Sequence, residues 1–420
     1  MRTKSLKKNK INVITLGCSK NTYDSEVLMG QLKASGKDVV HEQEGNIVVI
    51  NTCGFINNAK EESINTILEY VDKKENGIVD KVFVTGCLSE RYRPDLEKEI
   101  PNVDQYFGTT DLPLLLKALG ADYKHELLGE RLTTTPKNYA YLKIAEGCDR
   151  NCGFCAIPSF RGPQRSRDVS SILAEVEQLQ AREIVLVAQD LASYGKDRPS
   201  ELGAGSIVSL VREVSKMVQR TRLLYLYPSD LSDALIDAIC DTGVPYFDLS
   251  LQHVSKPLLR RMRRWGDGQR FLNRISDIRS REPDAAFRSN FIVGYPGETE
   301  EDHDQLLSFV EQAQLDWCGF FAYSPEDGTY AVDLDGQVPE GLMRERLLEL
   351  SEMQDNITAR RRDDLIGRTL NVLVDEPGEA RSHREAPEID GIIEVPQDLL
   401  VGEFYDVEIT SAMGPDLVAE

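Results

Sequence analysis

Tyr139-Ala140-Tyr141-Leu142-Lys143-Ile144 is a β-like run, and after three intervening residues comes Cys148-Asp149-Arg150-Asn151-Cys152-Gly153-Phe154-Cys155. A strand that opens at once into a loop of chemistry-bearing side chains is the arrangement of a β/α barrel, whose reactive groups sit on the loops after the strands. Downstream, similar runs recur between amphipathic stretches at Ile184 to Ala188, Leu223 to Tyr227, Phe247 to Leu251, Phe287 to Val293 and Trp317 to Tyr323. Six strands alternating with helices between Tyr139 and about Ile366 predict a full or partial (β/α) barrel of the TIM type.

The cysteine loop has the spacing C-x3-C-x2-C. Three thiolates this close can hold one iron–sulfur cube while supplying three of the four ligands that a closed cluster needs, which leaves one iron open. An open iron can coordinate a substrate or cofactor, as a three-ligand zinc site does. The alternatives at this spacing are a zinc site short of a histidine and thiols close by accident. No histidine lies nearby in the sequence.

Toward the N-terminus one pattern repeats: an apolar β-like run, a cysteine, then a helix-like stretch. Val13 to Gly17 precedes Cys18, Ile47 to Thr52 precedes Cys53, and Val82 to Gly86 precedes Cys87. Intervals of 35 and 34 residues suit strand, crossover helix and next strand, the unit of a parallel, Rossmann-like sheet. Ligands collect beyond the carboxyl ends of such strands, where all three cysteines would lie. Gly17 and Gly86 lack a Cβ and let backbone come close to a bulky group. Each cysteine taken singly also reads as a small buried hydrophobe.

Thr133-Thr134-Thr135-Pro136, within the stretch Leu128 to Asn138, resists continuation of helix or sheet and marks a linker. Toward the C-terminus the pattern changes again. Leu370 to Val374, Gly391 to Val395 and Phe404 to Ile409 are short strands divided by Pro and Gly, suiting a small antiparallel β-barrel. The expected domains are therefore 9–130, 134–365 and 366–420.

Composition agrees with such a chain. At 420 residues and 41% hydrophobic it has length for about three domains with cores. Lys and Arg total 49 against 70 Asp and Glu, a net charge of −21, which disfavours a general nucleic-acid binder. No apolar run reaches the roughly 18 residues of a membrane span. The basic stretch Met1 to Lys10 runs straight into Ile11 to Leu16, too short and polar for a signal-peptide core, so the expected location is the cytoplasm. In that reducing compartment clustered cysteines are more readily metal ligands or catalytic groups than disulfides. From Ile366 onward Arg368, Arg381 and Arg384 face thirteen acids, a net −10. Such a surface should repel tRNA phosphates and attract a basic protein.

Cys148-x3-Cys152-x2-Cys155, with Phe154 before the third cysteine, resembles the signature of the radical S-adenosylmethionine enzymes. The resemblance implies that the open iron binds S-adenosyl-L-methionine (SAM), that Cys148, Cys152 and Cys155 are the catalytic cluster ligands, and that Gly294, Pro296, Gly297 and Glu298 line the cofactor pocket. Thr299 and the acids after it also read as a helix N-cap and first turn. Over nearly the whole chain the organisation resembles the radical SAM methylthiotransferases, with a TRAM-like C-terminal barrel. That family implies a second [4Fe-4S] cluster on Cys18, Cys53 and Cys87, its open iron carrying the sulfur to be inserted, and two SAM molecules per product.

Leu16-Gly17-Cys18-Ser19-Lys20-Asn21, Ile50 to Ile56, Leu224-Tyr225-Leu226-Tyr227-Pro228-Ser229-Asp230 and Ala386-Pro387-Glu388-Ile389-Asp390-Gly391 resemble the RimO-type branch, which modifies an aspartate β-carbon of ribosomal small-subunit protein twelve. Pro163-Gln164, in Phe160 to Arg167, departs from that branch's usual small or basic residues. The resemblance implies as partner the ribosomal protein, free or in the ribosome, and leaves sulfur and electron donors unassigned. The rivals are the MiaB-type branch acting on a tRNA adenosine, and a non-catalytic iron–sulfur protein.

Other features carry less. Arg161, Arg165 and Arg167 form a basic patch after the cysteine loop, for cofactor or substrate contact or for surface salt bridges. Arg260, Arg261, Arg263 and Arg264 suit a solvated helix face or a contact with ribosomal RNA. Cys240 and Cys318 read as core residues. His41, His125, His253, His303 and His383 show no ligand spacing; His253 alone is placed to face a barrel mouth.

Overall fold

The computed structural model describes residues 9–124, 127, 131–203 and 205–420; Met1 to Lys8, His125, and Leu128 to Glu130 of the expected linker lie outside the described residues. The chain divides into two compact units. One takes the residues up to Thr135 with Ala156–Pro163 and Ser170–Gln178; the other takes Pro136–Cys155, Gln164–Val169 and Leu179–Glu420.

In the first unit β1 (Lys10–Thr15), β2 (Asp38–His41), β3 (Ile47–Thr52), β4 (Lys81–Gly86) and β5 (Gln105–Tyr106) form one parallel sheet in the order β2-β1-β3-β4-β5. The three strands expected from the apolar runs are its centre, buried on both faces as a parallel sheet requires. The two missed strands are its edges: β2 is half-exposed and β5 has two residues, so neither carries a long apolar run. Arg131, buried beside Tyr23, bonds Glu26 and Glu175, and the backbone N–H of Thr134 donates to Glu26 at 2.6 Å. Burying these charges together offsets their desolvation.

In the second unit β6 (Tyr139–Lys143) leads into a short antiparallel pair, β7 (Ala145–Glu146) with β8 (Arg165–Ser166). β9 (Glu183–Val187) and β10 (Arg220–Leu223) join β6 in parallel, and β11 (Tyr246–Gln252), β12 (Ala286–Val293) and β13 (Trp317–Ala322) form a second parallel sheet. A bridge between Leu226 and Leu249 links the two into six strands, and among the described residues no pairing joins β13 to β6, so the barrel is partial.

One strand expectation is corrected. The strand is Arg220–Leu223, and Leu224 to Tyr227 lies beyond it. Tyr225 stands at φ +67°, left-handed backbone that ends a strand. Arg220 and Arg222 hid the true strand because guanidinium groups seldom face a barrel interior; here both are buried.

Their partners explain the barrel's base. β14 (Thr369–Glu376), β15 (Glu379–Arg381), β16 (Ile393–Glu394), β17 (Phe404–Met413) and β18 (Asp416–Ala419) close into the small C-terminal barrel around its own core. The segment between β15 and β16 runs under the larger barrel and meets its strand starts. Arg222 donates to Glu183 at 2.6 Å and to the His383 carbonyl at 3.0 Å, while Arg381 pairs with Glu183 at 3.3 Å and with Asp375 at 3.0 Å. The Tyr139 and Tyr141 hydroxyls each donate to Glu388 at 2.9 Å, Tyr246 donates to Asp390 at 2.6 Å, and Arg288 pairs with Asp390. Glu385, fully buried, pairs with Arg362 and accepts from Ser382.

The expectation of a free acidic surface is thus corrected for Glu385 and Asp390, whose carboxylates are buried in the floor of the barrel; Glu388 stays exposed while it accepts from the two tyrosines. The acids left exposed on the small barrel include Glu376, Glu379, Glu394, Asp398, Glu408 and Glu420. No helix among the described residues is long and apolar enough to cross a membrane.

Candidate active site and iron–sulfur centres

The first cysteine trio sits at the carboxyl ends of three neighbouring strands. Cys18 caps the helix Ser19–Ala34 after β1, Cys53 follows β3, and Cys87 opens the helix Cys87–Glu99 after β4. Gly17 and Gly86 have φ of +95° and +99°, and a Cβ on Gly17 would lie 2.6 Å from the Cys53 Cβ. Glycine is what lets these loops converge. Asn21, fully buried, ties them together: its Nδ2 donates to the Leu16 carbonyl at 2.8 Å and the Thr52 carbonyl at 3.1 Å. Ser63 Oγ both accepts from the Cys53 N–H and donates to its carbonyl.

The three thiols differ electrostatically. Burial works to raise Cys18, but the Lys20 charge, backbone N–H groups and Arg161 outweigh it and hold the thiol below its ordinary value. Burial and the Cys18 charge push Cys53 up, and burial pushes Cys87 up to about 12 against the pull of Arg161. Binding a metal cluster therefore requires proton release from at least two buried thiols.

The second trio lies on the loop after β6. The Gly153 N–H donates to the Met262 carbonyl and the Ala331 N–H to the Gly153 carbonyl, both at 2.8 Å. A Cβ on Gly153 would stand 2.7 Å from the Tyr295 hydroxyl, so glycine permits this close packing. Cys148 Sγ accepts from the Arg150 N–H at 3.4 Å, and burial pushes that thiol up to about 11. Cys152 Sγ accepts from Arg264 Nη1 at 3.2 Å.

Arg150, within the loop, reaches the ends of two further strands. Nε donates to Asp190 at 2.6 Å, Nη2 to Ser193 at 3.1 Å, and Asp230 completes an ion pair that Lys196 shares at 2.6 Å. Tyr227 lies between two cations, with Arg150 3.9 Å and Arg264 4.3 Å from its ring centroid. Burial works against the Arg150 charge, but Asp190 and Asp230 outweigh it.

Sequence reasoning missed Asp190 and Arg264 as neighbours of the loop. Asp190 could have been found from its place just after β9. Arg264 gave no such signal, because it belongs to an arginine run that reads as surface. In the structure the run is split: Arg264 is buried and Arg261 donates to the Pro296 carbonyl at 2.8 Å, whereas Arg260 and Arg263 stay exposed, Arg263 lying 3.6 Å from the Tyr330 ring centroid.

The Gly294 to Glu298 turn follows β12. Gly294 and Gly297 have φ of +81° and +88°. Glu298 closes the turn by accepting from the Gly294 N–H at 2.6 Å and pairs with Arg346 at 2.8 Å. Tyr295 is the member of the turn that the structure brings against the cysteine loop. Thr299 caps the next helix with Asp302 in a reciprocal capping box, as its sequence suggests. His253 is fully buried, its Nδ1 accepting from the Ser255 N–H.

All eight cysteines are free thiols. Among the described residues no group of three or more His, Cys, Asp and Glu is placed to hold a single metal ion. The donor chemistry of each trio is compatible with an iron–sulfur cluster: three thiols per site, with Arg161 N–H groups on Cys87 and N–H groups of Arg150 and Arg264 on Cys148 and Cys152.

Residues 142–310 match the radical SAM superfamily, residues 366–420 the TRAM domain, and residues 10–108 a family described as Uncharacterized protein family UPF0004. Among solved structures the fold resembles the radical S-adenosylmethionine methyltransferase TsrM from Kitasatospora setae, with a TM-score of 0.56 and 13% identity over 77% of each chain. Partial barrel, cysteine loop and superfamily match define a radical SAM enzyme, a class built on an iron–sulfur cluster and SAM.

The full-length relatives narrow this. The chain is 52% identical over 436 residues, covering all of both chains, to the ribosomal protein uS12 methylthiotransferase RimO of Flavobacterium psychrophilum. It is 42% identical over 425 residues to the same-named protein of Aquifex aeolicus, covering 97% of this chain and 96% of that one. The chain belongs to the RimO family of radical SAM methylthiotransferases.

Proposed function

We propose that this enzyme adds a methylthio group to the β-carbon of an aspartate in ribosomal small-subunit protein uS12, using two [4Fe-4S] clusters and two SAM molecules per product. Full-length similarity to proteins named for that activity carries the reading, and the two separate cysteine trios support it. The chain is read as a sulfur-carrying domain over 9–130, a radical domain over 134–365 and a substrate-recognition domain over 366–420.

Cys148, Cys152 and Cys155 would hold a cluster that supplies one-electron reducing chemistry toward SAM, and Cys18, Cys53 and Cys87 would hold one that supplies the sulfur. An unactivated C–H bond offers no acidic proton, so the protein's own part is position and exclusion of water. Cys148, Cys152 and Cys155 supply thiolates from one loop, and Arg264 holds Cys152. Gly294 and Gly297 let their turn pack closely against Met343 and Arg261, Arg261 holds the Pro296 carbonyl, and Glu298 fixes the shape of the turn assigned to the cofactor pocket. Tyr227 and its flanking arginines wall the mouth of the barrel.

The test is anaerobic reconstitution with reductant and SAM, supplying small ribosomal subunits, free uS12 and tRNA in separate reactions. A methylthio mass on a uS12 aspartate, free or in the subunit, is expected; the same mass on tRNA alone would assign the chain to the tRNA-modifying branch.

A further inference from the structure

Arg161 lies six positions beyond Cys155, the last cysteine of the loop trio. Its side chain, however, belongs to the other trio. Nε and Nη2 donate to Cys87 Sγ at 3.3 and 3.1 Å, Nη2 also donates to Asn21 Oδ1 at 2.6 Å, and Nη1 pairs with Asp24 at 2.7 Å. The residue is 96% buried by its 4% exposure, and a guanidinium is buried to that degree only when paired.

The contact is built. Arg161 ends the five-residue helix Ile157–Arg161, and Ala156 and Phe160 pack with Cys87 in an apolar cluster against which Ile157 rests. The Phe160 carbonyl accepts from Thr109 Oγ1 at 2.7 Å. The Asp24 carboxylate balances the cation's charge, and Asn21 Oδ1 fixes the rotation of its fork. Two N–H groups thereby remain aimed at one sulfur.

We propose that Arg161 is the positioning residue of the N-terminal cluster, holding the Cys87 thiolate by two charge-assisted N–H···S bonds. The proposal rests on reading Cys18, Cys53 and Cys87 as cluster ligands. A cation and two donors on a ligand sulfur favour the more negative, reduced cluster, because they stabilise the added charge. They also fix the ring of ligands against loss of iron. Lysine would keep the charge but, with a single nitrogen, could not reproduce the fork.

The experiment uses the full chain with Cys148, Cys152 and Cys155 replaced by Ala, so that only the N-terminal trio loads. Arg161, Arg161→Lys and Arg161→Gln forms are reconstituted, and iron content, midpoint potential by EPR-monitored titration, and iron loss to a chelator are measured. Expected are about four irons with Arg161, a lower potential and about tenfold faster iron loss in Arg161→Gln, and an intermediate potential in Arg161→Lys. Equal potentials and equal loss rates in all three would overturn the proposal. Absence of iron in the Arg161 form would instead overturn the reading of the trio. Circular dichroism checks folding, and if Arg161→Gln fails to fold, the potential of Arg161→Lys decides: unchanged, it overturns the proposal.

Discussion

Cys18, Cys53 and Cys87 come from three neighbouring strands of one sheet, whereas Cys148, Cys152 and Cys155 come from one eight-residue loop. The register of β1, β3 and β4 places the first trio, so its scaffold is the sheet core itself. The second trio has no regular structure beneath its cysteines. Its shape rests on hydrogen bonds from the loop to Met262 and Ala331, on Arg264, and on a barrel whose floor another domain supplies. Two trios of the same side chain therefore sit on unlike supports, and the two sites should fail in different ways.

The largest effect should follow from removing the loop trio. Replacing Cys148, Cys152 and Cys155 by Ala is expected to abolish both 5′-deoxyadenosine and methylthio product while leaving about four irons on the other trio. Iron assay and product chromatography check it; persisting 5′-deoxyadenosine would place SAM cleavage elsewhere.

A second break strikes the floor. Asp390→Ala leaves Arg288 buried without its carboxylate and Tyr246 without its acceptor, a loss of about 3–5 kcal/mol on the scale of broken buried pairs. Denaturant unfolding should show it, whereas Glu408→Ala, an exposed acid of the same small barrel, should change stability by less than about 0.5 kcal/mol.

Arg264→Gln sharpens the comparison. It removes a guanidinium from Cys152 and from Tyr227 and should speed iron loss from the loop cluster about tenfold without altering the strand-end cluster. Separate EPR signals of the two clusters read both in one sample.

Acid should also act on the barrel's unit. His253 and His383 are held to about 4 by burial. Unfolded histidines protonate near 6.5, so stability from these two is complete above that pH and is lost as pH falls toward 4. Glu183 and Glu385 are held to about 2: burial raises them, but Arg222 and Arg381 for the former and Arg362 for the latter outweigh it. Their contribution persists above an unfolded value of about 4.5 and is lost as pH falls toward 2. Melting temperature should therefore fall in two stages, and His253→Gln should flatten the first.

How far the sequence could be read follows the same contrast. Apolar runs ending in cysteine revealed the central strands of the first unit, and a fixed spacing revealed the loop trio. Edges and floor were illegible because their residues are polar. β10 begins with Arg-Thr-Arg, and Glu385 and Asp390 look like solvent-facing acids until their buried partners are seen. Arg161 was equally hidden, since sequence places it beside Cys155 while its side chain meets Cys87. Polar groups paired over long chain separations leave no periodic signal.

The smallest effect belongs to the acids that remain exposed. Replacing Glu376, Glu379 and Glu394 by Lys is expected to slow association with uS12 a fewfold at low salt, with the difference shrinking as ionic strength shortens the screening length to about 8 Å. SAM cleavage without substrate should stay unchanged. Equal association rates across a salt series would leave that surface without a steering role.

The division of labour between the trios is tested most directly by the variant with Cys18, Cys53 and Cys87 replaced by Ala, reconstituted anaerobically with reductant, SAM and small ribosomal subunits. The prediction is continued formation of 5′-deoxyadenosine with no methylthio mass on uS12. Methylthio-modified uS12 from this variant would contradict a sulfur-carrying role for the strand-end trio.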